Sequence, residues 1–514
     1  MKRADEAERP APTATIVVLC LIPLLVHAAV NLFAGYGYFR DELYYVACAK
    51  RLGAGYVDQP PFSIWLLALV RLLVGDSVFA IRLVPAILSA LSVGVTCLLV
   101  RKMHGGRVAL ILAALAFIAS GQLLGFHAYY SMNSLDIFFW LVAAYLLLRV
   151  VEQPTTGRWL VLGLVLGLGL LNKTSVLWLG AGVAACLLLT GLRAQLKTPG
   201  PWLAGATAVI LFSPFVLWNL ANGLPHLEFM RNATAGKYSS LTRVRFLTDQ
   251  LMSMGPPVVV LALLGLGWYL FSKEGRRFRV LGIVFLTTFA ILFLNPHTKS
   301  EYLAAAYPLL FAGGGVVLER LGRRWGRAIP AIAGILIVAF GLLSAPFGLP
   351  MLPEEKYVRY SRALGLAPSN TEAKKLAELP QFFADMHGWE ELARDVSAAY
   401  LSIPEAERPT TVAFVTNYGE AGALELYARK YPLPRVICNH NSYWFWGVGP
   451  TPITTFIRLG GNRDDYRESY DDVTQVGVHA CRYCMPYEND LGIFIVRRRR
   501  VPIEQAWSTL HHFE

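Results

Sequence analysis

Tyr36-Gly-Tyr-Phe-Arg-Asp-Glu-Leu-Tyr-Tyr45 follows directly on an apolar run, residues 16–33, that is long enough to cross a bilayer. Arg40, Asp41 and Glu42 therefore stand where the chain leaves hydrocarbon. Ionisable groups at that depth are costly unless they have partners or a task there. Two readings of the patch are open. In one it starts a structural interfacial helix, where acids favour the N-terminal dipole. In the other it is a catalytic edge, where one carboxylate takes a proton from an acceptor hydroxyl. Glu42, beside Asp41, also permits a divalent metal ion.

The chain around this patch has the composition of a membrane protein. Of 514 residues, 55% are apolar and only 16% charged, and the mean hydropathy is positive; ordinary soluble domains carry about 25% charged residues. The net charge of +12 sits in short connectors between apolar runs, so it calls for no nucleic-acid partner. With about 20 apolar residues needed per span, about eleven transmembrane helices are expected. They fall near residues 13–33, 78–100, 107–124, 132–151, 158–171, 174–191, 202–220, 256–272, 279–294, 301–320 and 327–346. No small-residue cleavage site precedes the patch, so the first run is expected to be a retained helix rather than a signal peptide.

Orientation follows from the connectors. Arg101, Lys102 and Arg107; Arg149 and Arg158; Arg193 and Lys197; Lys273, Arg276, Arg277 and Arg279; and Arg320, Arg323, Arg324 and Arg327 occupy alternate connections. That side is expected to be cytoplasmic. The patch, the loop at His127, the long loop 221–250, the loop 295–300 and the polar tail are then extracytoplasmic. Between the first two spans, residues 41–52 and 62–73 repeat apolar positions at helical spacing, as helices lying in the membrane interface do.

Near residue 349 charge rises and Pro350 and Pro353 punctuate the chain. This divides a transmembrane domain, 1–348, from a C-terminal α/β domain, 349–514, expected in the periplasm. Strands are expected at 411–415, 435–438, 454–459 and 492–496, and helices at 419–430 and 463–472. No internal repeat is visible.

Tyr38-Phe-Arg-Asp-Glu-Leu-Tyr-Tyr45 and Tyr56-Val-Asp-Gln-Pro-Pro61 resemble the first external loop of the bacterial glycosyltransferase 39 family. That family is related to protein O-mannosyltransferases and lipid A aminoarabinose transferases. The resemblance continues through Tyr130-Ser-Met-Asn-Ser-Leu-Asp136, Leu227-Glu-Phe-Met-Arg-Asn-Ala-Thr-Ala-Gly-Lys237, Tyr302-Leu-Ala-Ala-Ala-Tyr-Pro308 and Asn439-His-Asn-Ser-Tyr-Trp-Phe-Trp-Gly447. It implies the GT-C membrane fold, a sugar on a polyprenyl phosphate as donor, and Asp41 as the catalytic residue. Glu42 and Asp136 are the accompanying acids, and Arg40, Tyr44, Tyr45, Asp58 and Tyr302 are substrate-binding candidates. Asp136 also suits a helix cap, and Asp58 a turn before the proline pair.

The chemistry of the transfer, argued independently of the resemblance, suits Asp41 as the base and adds a second set of candidates. Release of a lipid phosphate calls for cations rather than a protein acid on the leaving side. Arg231, Lys237, His297 and Lys299, all on expected external loops, are candidates for that role, against the alternatives of headgroup contact or snorkelling. His440, Tyr443, Trp444 and Trp446 suit packing, or stacking on a sugar. Cys438, His440, His479, Cys481 and Cys484 suggest a disulfide, free thiols or half a zinc site, with the oxidising compartment favouring the first two.

The activity expected is transfer of one sugar from a polyprenyl-phosphate donor to a glycolipid, polysaccharide or protein at the periplasmic face of the inner membrane. The alternatives are a transporter or flippase of lipid-linked sugars, whose ionisable groups usually lie near the midplane of paired repeats, and a polymerase or ligase using diphosphate-linked glycans.

Overall fold

The computed structural model describes residues 13–237, 241–368 and 374–514. The chain forms two compact units. The first comprises Met1–Ala34, Phe79–Leu217 and Ser240–Met351; the second comprises Gly35–Val78, Trp218–Ser239 and Leu352–Glu514. The segment from Leu352 onward thus shares its unit with the first loop and with part of the 221–250 stretch.

The first unit is helical, and helices cover each of the apolar stretches expected to span. Among the described residues, six helices are long and apolar enough to cross a membrane, or up to nine if each of three bent pairs is one span. The chain is a multi-pass membrane protein. Arg107–Ile118 and Thr156–Asn172, at 12 and 17 residues, fall below the length of a single span. The 106° bend between Arg243–Met254 and Pro256–Phe271 has a local cause. Gly255 takes φ +98°, which a side chain disfavours, and Pro256 then opens the new helix.

Small residues set the packing of this unit. A Cβ on Gly314 would lie 2.1 Å from the Leu261 carbonyl oxygen, and one on Gly265 2.2 Å from that of Leu310. The helices Pro256–Phe271 and Pro308–Trp325 therefore meet backbone to backbone, the usual solution where lipid offers no hydrophobic drive between helices.

The second unit is built on a five-stranded sheet: β1 (Thr411–Val415), β2 (Arg435–Cys438), β3 (Thr455–Leu459), β4 (Tyr470–His479) and β5 (Leu491–Arg499), in the order β2-β1-β3-β5-β4. β1 runs parallel to β2 and β3, while β5 is antiparallel to β3 and β4. All five residues of β1 are buried, as suits a central strand covered on both faces. Among its helices, those that bear on the site are α1 (Arg40–Ala49), α2 (Phe62–Leu73), α3 (Pro225–Asn232), α4 (Trp389–Leu401) and α5 (Tyr418–Tyr427).

Three details differ from the sequence expectation. The helix expected at 463–472 ends at Arg467, and β4 begins at Tyr470. β4 is an edge strand pairing only with β5, and much of it is exposed, so its pattern lacks a buried strand's apolar face. The long loop at 221–250 is largely helical: Pro225 opens α3, and Arg243–Met254 follows. Finally, α2 leaves Trp65, Leu69, Leu72 and Leu73 exposed as an interfacial helix would, whereas α1 is buried at every position except Asp41.

Candidate active site

Both charged neighbours of Asp41 are locked in place. Glu42, three residues into α1, accepts the Phe39 backbone N–H at 2.8 Å, one of the orphan donors at a helix start, and is fully buried. Arg40 donates to the Tyr487 hydroxyl and lies 3.8 Å from the Asp385 carboxylate, whose side chain has no exposure. The Arg40 backbone N–H also bonds the Asp385 carbonyl at 3.0 Å. Asp41 alone keeps an open side, with 37% of its side chain exposed. Its Oδ1 accepts the Tyr418 hydroxyl at 2.8 Å and stands 3.8 Å from the Arg40 guanidinium.

The rest of the first loop supports this arrangement. Tyr44 donates to Asp58 at 2.9 Å and accepts the Ser442 N–H, while the Ser442 hydroxyl accepts the Val57 N–H. Asp58 is thus a partner for Tyr44, and burial together with that carboxylate pushes the Tyr44 phenol well up. Tyr45 is buried in the same helix. The tail aromatics pack among themselves: Trp444 and Trp507 exchange indole N–H bonds to each other's carbonyls, and Arg51 lies over the Trp446 ring at 4.3 Å.

Two further buried acids, Glu488 and Glu420, lie close to one another. Glu488 accepts the Asn417 amide at 2.6 Å, and burial, then the nearby Glu420 charge, push its carboxyl well above the usual range. Burial pushes Glu420 up to about 7. Because the folded state holds this proton more tightly than the unfolded chain, the stabilisation is full below about pH 4.5. It is lost as the pH rises toward about 7. Glu420→Gln is therefore expected to flatten the fall in melting temperature between about pH 5 and 8. A thermal melt of the detergent-solubilised protein across that range checks it; an unchanged slope refutes the assignment.

Arg231 lies exposed on α3. That helix is tied within the unit by His226 to the Val57 carbonyl at 2.9 Å and by Asn232 to the Phe513 carbonyl at 2.8 Å. The side chain of Lys237 lies outside the described residues.

The first unit holds the other candidates. Asp136 is not a cap: Ser131 caps Met132–Glu152 by accepting the Asn133 N–H. Asp136 instead accepts the Ser175 hydroxyl at 2.8 Å and lies 3.8 Å from Lys173, with the two side chains 5% and 13% exposed. Lys173 also donates to Asn133 at 2.7 Å, and its ammonium stands 5.3 Å from the Tyr302 ring centroid. His297 is exposed and Lys299 half-buried, in the turn before the Ser300–Ala306 segment that carries Tyr302.

Within the second unit the structure brings Arg40 and Asp41 together beside Tyr418 and pairs Tyr44 with Asp58, while Glu42 caps α1; within the first it joins Asp136 and Tyr302 through Lys173. Sequence reading did not identify Lys173, Asp385, Tyr418 or Tyr487. For Lys173 a signal existed, because Asn172-Lys-Thr-Ser175 interrupts two apolar runs and a charge there needs partners.

The donor set does not suit a metal at Glu42. Its carboxylate caps α1, and Asp41 beside it faces a guanidinium and a phenol. Among the described residues no three His, Cys, Asp or Glu side chains are placed to hold an ion. All seven cysteines are free thiols. Cys481 is held below the usual thiol range by its bonds from Cys484, whose thiol is pushed up in turn.

A family model described as dolichyl-phosphate-mannose-protein mannosyltransferase matches residues 58–218, a span that leaves out Asp41 and the sheet. Over 347 residues the chain is 22% identical to the lipid A galacturonosyltransferase RgtD of Rhizobium johnstonii, covering 66% of this chain and 73% of that one. Over 131 residues it is 29% identical to the undecaprenyl phosphate-alpha-4-amino-4-deoxy-L-arabinose arabinosyl transferase of Pseudomonas savastanoi pv. phaseolicola, covering 25% and 24% of the two chains. The solved structure of ArnT from Cupriavidus metallidurans bound to undecaprenyl phosphate superposes with a TM-score of 0.63 at 14% identity, over 94% of this chain and 98% of that one. That likeness extends over both units and shows a shared fold.

Proposed function

We propose that this membrane glycosyltransferase of the GT-C fold moves a single sugar from a polyprenyl-phosphate donor to an acceptor on the extracytoplasmic side of the inner membrane, with Asp41 as the general base. The observation that carries the reading is the state of Asp41: a carboxylate held at one oxygen by Tyr418, flanked by a fixed guanidinium, and the one position of α1 open to solvent. In the step proposed, Asp41 takes the proton of the acceptor hydroxyl while that oxygen attacks the anomeric carbon. The bond from that carbon to the phosphate oxygen breaks, and polyprenyl phosphate leaves with the electron pair.

Cations receive the charge that develops on the leaving phosphate. Lys173 joins Arg231, Lys237, His297 and Lys299 as candidates for this role. Arg40, Tyr44, Tyr45, Asp58 and Tyr302 are assigned to substrate binding or its support, and Asp136 to fixing Lys173. The relatives' names supply the donor class, since one of them is an undecaprenyl-phosphate sugar transferase and another acts on lipid A. A glycolipid acceptor such as lipid A fits this reading. The segment 349–514 is read as extracytoplasmic, with the first loop.

The test is reconstitution of the purified protein in vesicles of bacterial lipid with paired donors, carrying the same sugars on polyprenyl monophosphate or diphosphate. Turnover with a monophosphate-linked pentose or uronic acid, with release of polyprenyl phosphate, is the expected result. Turnover with diphosphate donors alone overturns the reading in favour of a polymerase or ligase, and transbilayer movement without bond cleavage overturns it in favour of a transporter.

A further inference from the structure

The base proposed above lies in the first loop, yet the group that holds it comes from the far end of the chain. Tyr418 opens α5, and Asn417 caps that helix by accepting the Gly419 N–H at 2.7 Å. Two glycines then let α5 lie directly on α1. A Cβ at Gly419 would meet the Arg40 Cγ at 2.5 Å, and one at Gly422 would meet the Leu43 carbonyl carbon and oxygen at 2.7 and 2.8 Å. At that separation the first residue of α5 comes level with the second residue of α1, and the Tyr418 hydroxyl reaches Asp41 Oδ1 at 2.8 Å.

The Tyr418 ring is itself fixed. It lies between Tyr44, 4.9 Å away by ring centroids, and His440, at 4.8 Å, and the Arg40 guanidinium stands 5.4 Å from its centre. The phenol cannot swing away from the carboxylate without disturbing three neighbours, so the bond is set by packing on both sides. A carboxylate carries two oxygens, and holding one leaves the other in a defined direction.

We infer that Tyr418 is a positioning residue for the transfer reaction, fixing Asp41 through Oδ1 so that Oδ2 meets the proton of the acceptor hydroxyl. The inference rests on Asp41 being the base. Tyr418 touches no reacting atom; it fixes the geometry of one that does, and proximity of this kind acts on the chemical step more than on ground-state binding.

Tyr418→Phe removes the hydroxyl and keeps the ring and its stacking. The expected result in reconstituted vesicles is a fall in kcat of about 10-fold, with KM for the donor within about twofold of wild type and the melting temperature within about 2 °C. Wild-type kcat overturns the inference. So does a fall in kcat matched by a lower melting temperature, because the hydroxyl is then structural. Asp41→Asn measured alongside separates the two readings. If that variant is inactive while Tyr418→Phe is fully active, only the role of Tyr418 falls; if Asp41→Asn turns over normally, the base assignment falls and the role of Tyr418 with it.

Discussion

Asp41→Asn is expected to abolish sugar transfer, lowering kcat by about 10³-fold or more while leaving the protein folded and able to bind donor. The fold is expected to survive because the substitution is nearly isosteric and the position is 37% exposed. The amide oxygen can still accept the Tyr418 hydroxyl that Oδ1 accepts now, so the contact between α1 and α5 persists. What is lost is a basic oxygen, and an amide does not take a proton from an alcohol. Turnover of purified protein in vesicles, with donor binding measured in parallel, checks the result. Wild-type turnover removes Asp41 from the mechanism.

Lys173→Met is expected to act twice, and a second variant separates the two effects. The ammonium is Asp136's cationic partner, and both side chains are largely buried. Removing it leaves a carboxylate with the Ser175 hydroxyl in place of a counter-charge, a loss of about 3–5 kcal/mol for a buried pair. Melting temperature and yield in detergent measure this. The Lys173→Met, Asp136→Asn double variant removes both charges and is expected to recover most of the stability. If Lys173 also receives the donor's phosphate, the double variant stays at least 10-fold impaired in kcat/KM for the donor. Full activity of the double variant would reduce Lys173 to a counter-ion.

What could be read from the chain followed the range of the forces involved. Hydropathy marks the helical stretches of the first unit because each answers to lipid or to its immediate neighbours, and β1, β2, β3 and β5 stand where short apolar runs between helical stretches put them. β4 escaped because an exposed edge strand has few apolar positions to show. α1 misled for the opposite reason: Leu43, Val46 and Ala47 beside Arg40 and Glu42 look like one wet and one dry face. Both faces are in fact buried, because Asp385, Tyr487 and the Phe39 amide satisfy the charges. No local pattern encodes those partners. The acid pair was legible as a place where charge needs a reason, while Tyr418, 377 residues away, was not.

That separation bears on how the protein is made. While the ribosome is still working through the segments of the first unit, Arg40 and Asp41 have already emerged, and the residues that will enclose them do not yet exist. Contacts of such long sequence separation form late, after a large loop-closure cost. Until Asp385, Tyr418 and Tyr487 are synthesised, α1 lacks the surface that buries its arginine. On the proposed assignment of Asp41 as the base, sugar transfer is therefore expected to wait on the synthesis of Tyr418 and Tyr487, long after Asp41 itself has emerged.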